Sequence, residues 1–174
     1  MPSSDHLVLA RDHLARASRS ASLGGQWDST WRAFEQVLRH RYLRVEEGEL
    51  PTLIRHWSND LNHHSPNECR TLACSPGIDV ILSTPRHVWN MTDRPGSSDN
   101  SGERAVAVLR RARVQGVPVA TVCEALQLCR LIRNEIAHGL KVSTRRLDRS
   151  VMEGTLPFLR EVVQAALEME ERIY

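Results

Sequence analysis

No stretch of this chain is apolar for the roughly 20 residues that a membrane span needs. Its first dozen residues, Met1 to Asp12, hold early acids and no apolar secretory core, so nothing suggests export. The four cysteines, Cys69, Cys74, Cys123 and Cys129, form no CxxC pair. A reduced, cytoplasmic protein is therefore the expectation. There is no GxxxxGK phosphate-cradling loop and no GxGxxG fingerprint, which leaves nucleotide hydrolysis without visible machinery. Lysine is almost missing: Lys141 is the only one, a bias that genome composition explains as readily as phosphate recognition.

What is present is enough for one domain. A chain of 174 residues buries a core without disulfides or metal staples, and residues 1–174 read as a single unit without internal repeats. The overall net charge is only +2, but it is unevenly spread. Residues 1–100 carry 11 Lys and Arg against 12 Asp and Glu. Residues 101–149 carry 10 against 4, and residues 150–174 carry 2 against 5. The basic excess thus surrounds residues 133–138, with Arg104, Arg110, Arg111 and Arg113 before and Lys141, Arg145, Arg146 and Arg149 after. Such clustering is the electrostatic footprint of a phosphate-bearing ligand, although a solvated helix face accounts equally well for any single arginine.

Periodicity predicts an all-α chain, an up-and-down bundle of four main helices with short helices between them. A first helix is expected over about Ser4–Ala21, ended by Leu23-Gly24-Gly25. A second, about Trp27–Val45, repeats Trp27, Trp31, Phe34 and Leu38 at helical spacing, a stripe that reads as core rather than as a base-stacking platform. Short helices follow around Thr52–Leu61, Asn67–Ala73 and Ile78–Leu82. The Gly-, Ser-, Asp- and Asn-rich run at 92–102 reads as a mobile loop. Helix resumes over about Glu103–Val114, breaks at Gly116-Val117-Pro118 and continues over Val119–His138, where Gly139 is a good stop. A last helix starts near Ser143 or Thr144, and Pro157 is expected to kink or restart it with Thr155 as a second cap.

One local contradiction stands out. Val119, Val122, Leu126, Cys129, Arg133, Ile136 and Leu140 share one helix stripe, so Arg133 sits where a Leu or Ile belongs. A guanidinium does not shed its proton, and burying it is costly unless an anion or several acceptors meet it. Conflicts of this kind concentrate at working sites. The surrounding run is Arg133-Asn134-Glu135-Ile136-Ala137-His138-Gly139. It resembles the signature of the HEPN superfamily: an Arg, often a polar follower, four to six intervening positions, and a His. The resemblance covers about one helix.

The resemblance implies a HEPN-like helical fold and a metal-independent endoribonuclease with Arg133, Asn134 and His138 in its cleft. It implies RNA as substrate, no cofactor and no metal, with Arg130, Lys141, Arg145 and Arg146 as accessory RNA contacts. A homodimer pairing two motifs in one composite site is implied as well. So is a role as a toxin or antiviral-defence effector, with an antitoxin or defence-system protein as partner. In one toxin branch a tyrosine stands two residues after the motif histidine; here that position is Leu140, which argues against that mode of control.

The residues suit the chemistry. A histidine titrates near working pH and carries protons, and an arginine grips phosphate with two parallel hydrogen bonds. Attack by the 2′-hydroxyl would leave 2′,3′-cyclic phosphate and 5′-hydroxyl ends and would spare DNA. On one ideal helix, however, Arg133 and His138 project about 140° apart. A second copy across a two-fold axis removes that difficulty. Two other readings stay open: a non-catalytic RNA- or nucleotide-binding module of the same fold, and a helical adaptor whose Arg133 pairs with a partner's carboxylate. His138 beside Gly139 also suits the negative end of a helix dipole. His63, His64, Cys69 and Cys74 are zinc-binding residue types, but their spacing matches no familiar finger or ribbon.

Overall fold

The computed structural model describes residues 5–42, 49–85, 101–137 and 146–173. Among them are eight helices and no strand: α1 (Asp5–Arg19), α2 (Leu23–Tyr42), α3 (Leu50–His64), α4 (Pro66–Ala73), α5 (Pro76–Ser83), α6 (Ser101–Gln115), α7 (Pro118–Ala137) and α8 (Arg146–Ile173). The expected all-α helical bundle is what is found.

The aromatic stripe of α2 builds the centre. Trp27, Trp31, Phe34, Val37 and Leu38 are fully buried. The Trp27 and Trp31 rings stack at 6.0 Å, and Phe34 meets the Trp57 ring of α3 edge-on at 5.1 Å. Each aromatic buries a large apolar area, and the edge contacts add about 0.5–1.5 kcal/mol per pair. The Trp27 indole N–H donates to Thr155 Oγ1 at 3.0 Å, tying α2 to α8. Because Trp27 meets Thr155 while Arg41 meets Glu170, α2 and α8 run in the same direction. On the other flank α1 opposes α2, with His6 beside Gln36 and Ser20 beside Gln26.

Three local expectations change. Leu23-Gly24-Gly25 does not end α1 but opens α2, because Ser22 Oγ accepts from the Gly25 N–H at 3.1 Å and so caps the new helix. The expected loop at 92–102 is shortened: Ser101 and Gly102 already belong to α6, and the rest lies outside the described residues. Pro157 does not restart the last helix, since α8 is continuous from Arg146 to Ile173. Thr155 is no cap; it is fully buried, donating to Val151 O at 2.7 Å while it accepts from Trp27. Packing on both sides of Pro157, with Val151, Met152, Leu156, Phe158, Leu159 and Val162 all buried, holds the helix through a residue that costs one backbone hydrogen bond. The proposed caps Ser143 and Thr144 lie outside the described residues.

Candidate functional site

The predicted break between α6 and α7 is present and sharp. Gly116 takes a left-handed φ of 66°, and the Val117 N–H reaches back to Ala112 O at 3.1 Å, closing α6 with a Schellman turn. Pro118 then occupies the first position of α7, where its missing N–H is harmless. The helix packs against α6, α3 and α4. Val122, Cys123, Ala125, Leu126, Leu128, Cys129 and Ile132 are accordingly buried.

That crowding ends in the last turns of α7, and the candidate residues stand there. Arg133 continues the buried stripe beyond Cys129, and Ile136 packs against the core one turn on. The Arg133 side chain is half-buried. Its Nε is inaccessible to water and has no hydrogen-bond partner among the described residues. The contradiction read from the sequence is therefore present in three dimensions. A buried, unmatched N–H of this kind costs about 1–3 kcal/mol.

Along the adjacent line of α7 lie Gln127, Arg130 and Asn134, all half-buried. Gln127 Nε2 donates to Pro51 O at 3.0 Å, and Arg130 Nε donates to Gln127 Oε1 at 3.3 Å. This edge thus leans on the start of α3, while Cys123 near the other end of α7 lies beside Ser58, so α3 and α7 run in opposite directions. Burial lowers the Arg130 pKa, with the Glu49 carboxylate partly offsetting it. Arg130, Arg133 and Asn134 sit within four residues of one another, so one corner of the bundle gathers two guanidiniums and an amide. His138 follows α7 directly; it lies outside the described residues, as do Lys141, Arg145 and the side chain of Arg146.

The other basic residues divide. Arg113 pairs with Asp79 at 3.1 Å and Arg149 with Glu153 at 2.7 Å, and Arg110 donates to Leu82 O at 3.2 Å. Arg104 and Arg111 are exposed on α6. No group of three or more His, Cys, Asp or Glu with metal-holding geometry occurs among the described residues. Cys69 is buried while Cys74 is exposed. Among the described residues no helix is long and apolar enough to cross a membrane. An open cleft of about 550 Å³ lies between α4 and α8, lined by Glu68, Thr71, Leu72, Arg160, Glu161 and Gln164 among others, and none of the α7 candidates borders it.

Sequence reading missed a second concentration of charge. Arg41, at the end of α2, donates to Glu170 of α8 at 2.9 Å and to Asp60 of α3 at 3.0 Å. The Tyr42 hydroxyl donates to the same Asp60 oxygen at 2.6 Å, and His40 lies 3.8 Å from Glu170. Burial works against the Arg41 charge, yet the carboxylate hydrogen bonds hold its pKa above the ordinary arginine value. Burial and Asp60 likewise push the Tyr42 hydroxyl far up, keeping it a neutral donor. This cluster clamps three helices. Its partners are up to 129 residues apart, and no local motif announces them.

No protein-family model, characterised protein or solved structure matches this chain.

Proposed function

We propose that this chain is a HEPN-type, metal-independent endoribonuclease that acts in the cytoplasm as a toxin or antiviral-defence effector. One observation supports the reading above the others. The Arg133 guanidinium is held in the seam of α7 with its Nε buried and unmatched among the described residues. A cation kept unsatisfied at a cost in stability suits a ligand that arrives later and brings its own acceptors, and a phosphate does so.

The reaction follows from the residue types. A base takes the proton of the RNA 2′-hydroxyl, whose oxygen attacks the neighbouring phosphorus. The bond from phosphorus to the 5′-oxygen breaks, and an acid returns a proton to that leaving oxygen. The products are a 2′,3′-cyclic phosphate and a 5′-hydroxyl. His138 is assigned the proton transfers. Arg133 holds the phosphate oxygens as negative charge builds, and Asn134 orients the phosphate or His138 four residues on. Since one imidazole is not acid and base in the same step, the active form is a homodimer that joins two such corners into one cleft. Arg130, Lys141, Arg145 and Arg146 extend its positive wall toward the RNA.

Incubating the purified protein with RNA in the presence of EDTA tests the reading. The expected result is cleavage with 2′,3′-cyclic ends, abolished by His138→Ala while the dimer stays folded. If the His138→Ala protein cuts RNA as fast as the parent, the assignment is wrong; retention of RNA without any cleavage makes the parent a binding module instead.

A further inference from the structure

The outer face of α6 has no role in the account so far. Its inner face packs into the bundle through Val106, Leu109 and Ala112. Its outward arc carries Arg104, Arg110 and Arg111 with Ala107, Val108, Val114 and Gln115, all exposed, and a single acid, the half-buried Glu103. Neither Arg104 nor Arg111 is met by a carboxylate among the described residues, unlike Arg113 and Arg149 further along the chain. At 100° per residue, Arg104 and Arg111 fall within about 20° of one line along the helix, roughly 10 Å apart.

We infer that this face of α6 is a track for the RNA backbone, leading single-stranded RNA toward Arg133; the inference rests on the ribonuclease reading above. Two features favour RNA over a protein partner. Protein interfaces place apolar side chains at the centre and charges at the rim. Here two guanidiniums, Arg104 and Arg111, run down the middle of the arc: Val108 and Val114 project about 40° and 80° to either side of Arg104, and Glu103 and Arg110 lie beyond Val114. The second feature is position. The two-residue turn at Gly116-Val117 folds α6 back along α7, and twelve residues separate Gly116 from Arg104 as twelve separate Pro118 from Arg130. Arg104 is therefore level with Arg130, one turn short of Arg133 and Asn134. A strand held on α6 is delivered at the right height.

The probe is a 12-nucleotide single-stranded RNA with 2′-O-methyl groups, which binds without being cut. Its affinity is measured by fluorescence anisotropy between 50 and 200 mM salt. Each phosphate contact to a single strand contributes about 0.7 to the logarithmic salt slope. Arg104→Ala/Arg111→Ala is expected to lower the slope by about 1.4, so that the parent loses roughly 7-fold more affinity than the variant over this fourfold rise in salt. Arg11→Ala/Arg16→Ala, which removes two exposed arginines of α1, has the same net charge and is expected to keep the parent slope. Both pairs are at the surface, and unchanged melting confirms that neither disturbs the fold. Equal slopes for the α6 variant and the parent overturn the track and leave the ribonuclease reading intact. If the α6 variant loses polyglutamate binding while the RNA slopes stay equal, the face belongs to an acidic protein instead. Absence of RNA binding by the parent overturns both.

Discussion

Replacing Arg133 with methionine separates a working residue from a structural one. Methionine keeps most of the apolar stem that lies along the α7 seam and removes the guanidinium with its buried, unmatched Nε. A buried donor without an acceptor costs about 1–3 kcal/mol. Because the side chain is only half-buried, the lower end applies, and Arg133→Met is expected to stabilise the protein by about 1 kcal/mol. For a chain of this size that is a rise in Tm of about 2–4 °C, with a matching shift of the urea midpoint at constant slope. RNA cleavage should move the other way, falling at least about 100-fold, the usual cost of removing a donor that stabilises transition-state charge. Arg133→Lys keeps the charge but loses the fork, and should recover only part of the activity. Opposite signs in stability and activity are the diagnostic outcome. If Arg133→Met loses 1 kcal/mol or more, the guanidinium is a satisfied prop of the fold and the argument from its orphaned Nε fails.

Other parts of the molecule make independent predictions. Arg41→Met strands Glu170, whose side chain is only 3% exposed, and is expected to cost about 3 kcal/mol in urea unfolding. The double variant Arg41→Met/Glu170→Met should cost less than the single, because no buried charge is left unmatched. Burial pushes the Cys129 thiol up to about 12 from its ordinary value of 9.0. The unfolded chain then ionises first, so stability is fully present below pH 9 and is lost as the pH rises toward 12, by roughly 2 kcal/mol at pH 10.5. Cys129→Ala should remove that share of the alkaline loss in denaturation series at pH 8 and 10.5, leaving the share of Cys69, whose thiol burial pushes up to about 11. Thr155→Val leaves the buried Trp27 indole N–H without its acceptor and should cost about 1–3 kcal/mol, read from the same urea curves.

The sequence shows most plainly what repeats. The Trp27, Trp31, Phe34 and Leu38 stripe announces a buried helix face because helical spacing and bulk coincide, and all four are fully buried. The Gly116-Val117-Pro118 break is legible for the same reason: a left-handed glycine and a proline without an N–H each admit few other conformations. The errors fall where tertiary packing overrides a local signal. Two glycines read as a helix stop, yet Ser22 turns them into a helix start. Pro157 with Thr155 reads as a fresh helix start, yet α8 runs through both, with buried residues on either side. At the candidate site, periodicity alone reveals that Arg133 occupies an apolar stripe. It does not reveal that Gln127 and Arg130 lean on the start of α3, since that contact spans 76 residues.

The contrast between two arginines carries the functional argument furthest. Arg41 and Arg133 both lie near the end of a 20-residue helix, and both leave water for the bundle. Around Arg41 the fold supplies two carboxylates and directs hydrogen bonds to both, the compensation that a buried cation demands. Those acids come from α3 and α8, so the chain recruits distant partners where a guanidinium serves structure. Around Arg133 no such recruitment occurs among the described residues, and its Nε stays unmatched. Asn134 and Arg130 sit beside it, one neutral and the other a further positive charge. A fold that satisfies one buried arginine so completely had the means to satisfy another. An Arg133 Nε left unmatched among the described residues, beside a second cation, suits an anion that comes and goes, and the proposed turnover on RNA requires repeated binding and release of a phosphate.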